Sequence, residues 1–260
     1  MKIVAIANQK GGVGKTTTSV NLAACLAEDG HRILLVDLDP QANATSALGF
    51  AAEEGDSLYE CLVDPSVQAA SKIVQTAIAN LELIPAHLEL AGAEIDLARQ
   101  GNHWSRLREV LEPLASLDYE YCFLDCPPSL GILMTAALAT AHDLLIPVQC
   151  EYFSMQGLLR IQDILETLRQ SGANPNGRLE GIVLTMYDSR TRLARSVIED
   201  VRQYFPAQTY DTVIPRSVKL GEAPSHCLPI IHYDPSGAGA AAYRALAGEF
   251  VDRRSRYRIT

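Results

Sequence analysis

An apolar run from Ile3 to Ala7 leads straight into Lys10-Gly11-Gly12-Val13-Gly14-Lys15-Thr16-Thr17, and helical spacing takes over near Thr17. A strand, a glycine-rich turn and a helix start in that order turn backbone N–H groups into one small space, where the helix dipole adds positive potential. The arrangement is a cradle for phosphate. The usual phosphate-loop pattern has glycine where this chain has Gln9, and an additional lysine, Lys10, stands at the start of the loop. Lys15 is expected to reach the β- and γ-phosphates of a nucleotide and the Thr16 hydroxyl to ligate Mg²⁺, because a polyphosphate needs both charge neutralisation and a metal.

The rest of the chain supplies the frame for such a loop. Apolar runs at Ile3–Ala7, Ile33–Val36, Leu81–Ile84, Tyr121–Leu124, Leu144–Val148, Gly181–Thr185 and Thr209–Ile214 alternate with helical spacing at Thr17–Glu28, Leu88–Arg99, Trp104–Leu114, Ile132–Thr140, Gly157–Gln170, Arg195–Tyr204 and Ala238–Val251. Continuous apolar strands separated by helices predict an α/β fold: a mostly parallel twisted sheet with helices on both faces. Gly30, Gly172 and Gly177 fall where helices should stop. Residues 49–79 are the least regular and are expected to form short helices outside the sheet. The length of 260 residues suits a single domain spanning 1–260.

Composition narrows the setting. No apolar run approaches the ~20 residues needed to span a bilayer, and Lys2 leads directly into a strand rather than a signal peptide, so the cytoplasm is the expected compartment. Six cysteines, at 25, 61, 122, 126, 150 and 227, lie mostly in apolar segments without CxxC spacing and read as buried reduced thiols. A net charge of −9 excludes a surface coated in cations but leaves room for a local basic patch.

In open parallel sheets ligands sit at the carboxyl ends of the strands, so the residues following each strand carry the chemistry. Asp37-Leu38-Asp39-Pro40-Gln41 follows one apolar run and Asp125-Cys126-Pro127-Pro128-Ser129 another. Asp125 has the position of a Walker B carboxylate, holding Mg²⁺ through water. Phosphoryl transfer to water needs a group that orients the nucleophile, and Asp39 is suited to it. Alternation puts Asp37 and Asp39 on one side, leaving one to serve structure while the other reaches the site.

KGGVGKTT, DLDPQANATSALG, DCPPSLG, the TMYDSRT segment and the IPRSVKLGEAPSH segment, in that order, resemble the ParA/Soj ATPases of chromosome and plasmid partition, within the deviant Walker class. The resemblance runs from Met1 to about Val251. It implies a Mg²⁺-dependent ATP hydrolase that forms a homodimer on binding ATP, with nucleotide contacts from Lys10, Gly11, Gly12, Val13, Gly14, Lys15, Thr16 and Thr17. Lys10 is then the lysine that reaches the partner subunit's nucleotide, Asp39 the hydrolysis residue, Asp125 the Walker B carboxylate, and Pro215 and Ser217 part of the loop bordering adenine and ribose. Many relatives have Asn where this chain has Ser217, and Cys227 replaces a common glycine.

The resemblance further implies non-specific binding of double-stranded DNA by the ATP dimer, association with the nucleoid, and release when a ParB/Spo0J-like partner stimulates hydrolysis. Between Arg178 and Lys219 the chain carries a net +2, leaving −11 elsewhere. Arg190 and Lys219 match the DNA-contacting positions best, with Arg192, Arg195 and Arg216 as secondary contacts; the competing reading is a solvated helix face paired with Glu199 or Asp200. Relatives that position other cargo share these motifs. A MinD-like membrane cycle is a second class, but the basic tail from Asp252 to Thr260 lacks the apolar face for stable anchoring. A redox ATPase with an iron–sulfur cluster is a third, disfavoured by cysteines placed in or beside strands and helices.

Overall fold

Along the first apolar run Ile3, Ala5 and Ala7 join one buried cluster while Val4 and Ile6 join another, so period-2 alternation sends side chains to two faces that are both covered. The same division recurs in the other central strands and is the reason they read as unbroken apolar stretches. The computed structural model of the chain describes residues 1–100, 103–151 and 154–257. Its strands are β1 (Lys2–Ile6), β2 (Ile33–Asp37), β3 (Val74–Gln75), β4 (Leu81–Ile84), β5 (Tyr121–Asp125), β6 (Asp143–Gln149), β7 (Arg178–Tyr187) and β8 (Thr209–Pro215). They form one sheet in the order β3-β4-β2-β5-β1-β6-β7-β8, parallel throughout except for β3. The α/β expectation holds.

One face is covered by α1 (Lys15–Glu28), α2 (Asn43–Ala47), α9 (Val218–Glu222), α10 (Ile230–Tyr233) and α11 (Ala238–Tyr257); the other by α3 (Tyr59–Val63), α4 (Leu90–Gln100), α5 (His103–Leu111), α6 (Ile132–Thr140), α7 (Ser154–Gln170) and α8 (Arg192–Tyr204). The strand order reverses about β1, whose neighbours β5 and β6 lie on its two sides. That switch point opens a crevice at the carboxyl edge.

Four local differences from the sequence reading have physical causes. Within residues 49–79, α3 and a 3₁₀ turn at Ala69–Lys72 do form, but Val74–Gln75 joins the sheet as an antiparallel edge strand on β4. The helix expected to reach Leu114 stops at Leu111 and tightens into a 3₁₀ turn, with Pro113 near its start. Gly172, at φ 79, follows α7 as a stop signal should, whereas Gly177 lies in the loop just before β7. α8 begins at Arg192 because the Thr191 hydroxyl accepts the Ala194 N–H at 3.2 Å, a cap that fixes the helix start.

The largest difference is at the C-terminal end. α11 runs to Tyr257, well past Val251, because two arginines of the polar tail turn inward. Arg254 is buried, 2.7 Å from Asp143 and 3.7 Å from Glu180, with its guanidinium over the rings of Tyr121 and Phe250. Arg253 pairs with Glu249 and donates to the carbonyls of Gln208 and Thr209. Arg258, Ile259 and Thr260, included in the expected basic tail, lie outside the described residues. No helix of the described residues is long and apolar enough to cross a membrane.

Candidate functional site

Gly12 (φ 73) and Gly14 (φ 89) occupy the left-handed region, which an L side chain adopts only with strain, and this lets the chain fold back over the start of α1. Gly14 is the N-cap of α1, its carbonyl accepting the Thr18 N–H at 2.9 Å. Thr185 at the end of β7 fastens the loop from outside by donating its hydroxyl to the Val13 carbonyl at 2.8 Å. Beside the loop lies a cavity of about 500 Å³, bordered by Gly11, Gly12, Lys15, Thr16, Asp39 and Pro128. A second space of about 280 Å³, bordered by Pro215, Ser217 and Tyr243, shares Gly14, Thr17 and Met186 with the first. The glycine-rich loop and the segment after Ile214 that carries Pro215 and Ser217 thus meet around one helix N-terminus.

Strand register brings the carboxylates together. Asp37 and Asp125 are partners at the ends of β2 and β5, and both are fully buried. Asp125 accepts the Thr16 hydroxyl at 2.8 Å on one oxygen and the Ser19 hydroxyl at 2.7 Å on the other. Burial pushes the Asp125 carboxyl above its usual range, with the charge of Asp37 adding to the effect and the hydroxyls and Lys15 opposing it. Lys15, also buried, has its amine pushed down by desolvation while Asp125 and Asp39 pull it back up. Thr16 and Asp125 present hard oxygen donors at one point beside the phosphate cradle. A buried anion whose charge is under-compensated, next to a hydroxyl, fits Mg²⁺ bound jointly with phosphate oxygens.

Asp37 and Asp39 divide their tasks. Asp37 is turned inward and accepts from Asp39 N–H, Thr45 N–H and the Thr45 hydroxyl, whereas Asp39 accepts the Gln41 N–H at 3.0 Å and borders the larger cavity. Lys10 does not border that cavity. Its amine lies 2.8 Å from Glu151, which follows β6, and its N–H is held by Asn8 Oδ1 at 3.0 Å.

The basic residues sit on the same edge. Arg190, Arg192 and Arg195 follow β7, and Arg216 and Lys219 follow β8; Arg216 N–H donates to the Tyr187 carbonyl at 2.9 Å, so the two segments leave the sheet side by side. Arg190 is 86% exposed and grips both oxygens of Asp188 at 2.9 and 2.6 Å, holding that carboxyl down at about 2. Lys219 is 2.9 Å from Glu222 and near the Tyr233 ring. Arg192 and Arg195 are exposed, and among the described residues neither makes an ion pair.

Sequence reasoning passed over Glu151, Ser19, Thr45 and Met186. Ser19 sits four residues after Lys15 on α1 and could have been found from helical spacing; Met186, at φ 53, carries a backbone conformation that no residue pattern announces.

A parallel sheet with a glycine-rich loop entering a helix, a lysine and threonine at its start and a carboxylate at the end of the neighbouring strand define a P-loop nucleotide-binding protein. A family profile described as an AAA domain matches residues 1–179. The chain is 51% identical to the sporulation initiation inhibitor protein Soj of Bacillus subtilis, covering 95% of this chain and 97% of that one. It is 46% identical to the chromosome partitioning protein ParA of Myxococcus xanthus, over 97% and 88% of the two chains. Among solved structures, cobyrinic acid a,c-diamide synthase from Mycobacterium smegmatis with a bound ATP analogue and magnesium superposes with a TM-score of 0.82 at 35% identity, covering 95% of this chain and 93% of that chain. The chain belongs to the ParA/Soj family of partition ATPases.

Proposed function

We propose that this chain is a Mg²⁺-dependent ATPase that binds ATP, closes face to face on a second copy, and as that dimer binds double-stranded DNA without sequence preference. Hydrolysis, stimulated by a ParB/Spo0J-like partner, separates the copies and releases the DNA. The protein accordingly works in the cytoplasm on the nucleoid. The observation that carries this reading is the position of Lys10: it opens the phosphate loop yet lies outside the cavity of its own chain, paired with Glu151 at the surface. A cation so placed is available to a nucleotide held by another copy. A cation supplied in trans is worth on the order of 10³–10⁵ in rate in other NTPases.

Within each chain Lys15 and the loop backbone hold the phosphates, and Pro215 and Ser217 border the base and ribose. Thr16 and, through water, Asp125 would hold Mg²⁺, whose chemistry there would be to neutralise charge on the triphosphate. Asp39, at the cavity wall, orients the attacking water. Arg190 and Lys219, with Arg192, Arg195 and Arg216, line the edge that meets DNA phosphates; the Arg190 and Lys219 side chains are 86% and 53% exposed, and pairs made by such surface cations contribute only about 0–1 kcal/mol, which leaves both cations free to turn to a phosphate. Doubling the cations by dimerisation multiplies the counterions released, which is how ATP gates DNA binding.

The test is sedimentation velocity with a non-hydrolysable ATP analogue and Mg²⁺, run beside DNA retardation with ATP, ADP and no nucleotide. A dimer with the analogue and DNA binding with ATP alone are expected. A monomer at saturating analogue overturns the proposal.

A further inference from the structure

The turn that carries Asp39 is held from below by a buried chain of hydrogen bonds that no surface residue shares. Asp37, at 0% exposure, accepts three of them: Asp39 N–H at 3.1 Å on one oxygen, and Thr45 N–H at 2.9 Å and Thr45 Oγ1–H at 2.8 Å on the other. The Thr45 hydroxyl, having given its proton to Asp37, accepts the Ala86 N–H at 2.8 Å just beyond β4. One hydroxyl, 1% exposed, is therefore used in both directions, and its rotor is fixed. It ties the end of β2, the start of α2 and the end of β4 to one point.

Thr45 lies on α2, whose other side presents Asn43, Ser46 and Ala47 to the larger cavity. The α2 N-cap, Ala42, sits at φ 52, and its N–H donates back to the Asp39 carbonyl at 2.8 Å. Asp39 is thereby clamped through its own N–H and its own carbonyl, and its carboxylate is further set by Gln41 N–H. Both backbone clamps lead to α2, and the only side chain of that helix that reaches the clamp's carboxylate among the described residues is Thr45.

We propose that Thr45 is a positioning residue for hydrolysis: its hydroxyl locks the Asp37 carboxylate, and Asp37 in turn fixes the turn that aims Asp39 into the cavity. This rests on the reading of Asp39 as the residue that orients water. A misplacement of about 1 Å at such a group costs on the order of 10²-fold in rate, while ground-state nucleotide contacts made by the loop and Lys15 are untouched. Loss of the Thr45 hydroxyl therefore acts on kcat and spares KM.

The experiment compares parent, Thr45→Val, Thr45→Ser and Asp39→Ala in steady-state ATP hydrolysis with DNA present, alongside thermal denaturation to fix the folded fraction at the assay temperature. Thr45→Val is expected to lower kcat per folded molecule at least about tenfold with KM for ATP within about twofold of the parent, and Thr45→Ser to restore kcat to within about twofold. Thr45→Val with the parent's kcat per folded molecule overturns the proposal, as does a raised KM at unchanged kcat, which would make Thr45 a wall of the nucleotide pocket. If Asp39→Ala hydrolyses ATP at the parent's rate, the reading of Asp39 falls and this inference with it; if Asp39→Ala is inactive and Thr45→Val is not impaired, only the inference falls.

Discussion

Two lysines in one loop face different surroundings, and substitution should separate them. Lys15 is buried beside Asp125 and Asp39 at the start of α1, so Lys15→Ala is expected to weaken binding of a fluorescent ATP analogue by roughly 100-fold, about the loss on truncating one partner of a buried charge pair. Lys10 is 41% exposed and outside its own cavity, so Lys10→Ala should keep monomer nucleotide affinity within about twofold and lose the sedimenting dimer. The carboxylates give a pH dependence of definite sign. Asp37 and Asp125 hold their protons more tightly folded than unfolded, since burial raises both above the ordinary range of about 4. Without nucleotide or metal, the stability they contribute is complete below that range and is lost as pH rises through the raised folded values. Asp125→Asn should accordingly gain in melting temperature relative to the parent as pH climbs from about 5 to about 8, and the gain should vanish if those carboxyls titrate normally. Lys15, Thr16, Asp39 and Asp125 were legible in the sequence because each stands at a strand end or helix start, where parallel-sheet geometry leaves one place to go. Glu151 was not, because its pairing with Lys10 spans 141 positions and depends on how β6 lies against β1.

Strands and helices with continuous or periodic apolar faces were readable to within a few residues, and those that were not owe their form to distant partners. Val74–Gln75 is too short and too polar to announce itself, and pairs only because β4 exposes an edge. The tail of α11 looks like free basic chain until Asp143 and Glu180, more than 70 residues away in sequence, are seen to receive Arg254. Replacing Arg254 by Leu leaves two buried carboxylates with Arg178 as the one cation still paired to them among the described residues. Urea denaturation should register a loss toward the lower end of about 3–5 kcal/mol, the cost of breaking a buried ion pair from one side. A loss below about 1 kcal/mol would mean that the guanidinium is not paired there in solution.

The chain is acidic in total but carries a net +2 between Arg178 and Lys219, and that asymmetry bears on how binding to DNA should respond to salt. If Arg190, Lys219 and their neighbours meet phosphate in both copies of a dimer, log affinity should fall against log salt with a slope near −0.9 for each phosphate contacted. Removing Arg190 should flatten that slope by about two contacts, one from each copy, and reduce affinity equally for unrelated DNA sequences; an unchanged slope would place the DNA elsewhere. The buried arginine at the far end of the last helix bears on how such measurements are designed. Trimming the chain before residue 254 to remove cationic residues would also strip the floor of the sheet of its counter-ion. A shortened protein that fails to bind nucleic acid or lipid would then report damage to its foundations, and engineered fusions belong beyond Tyr257.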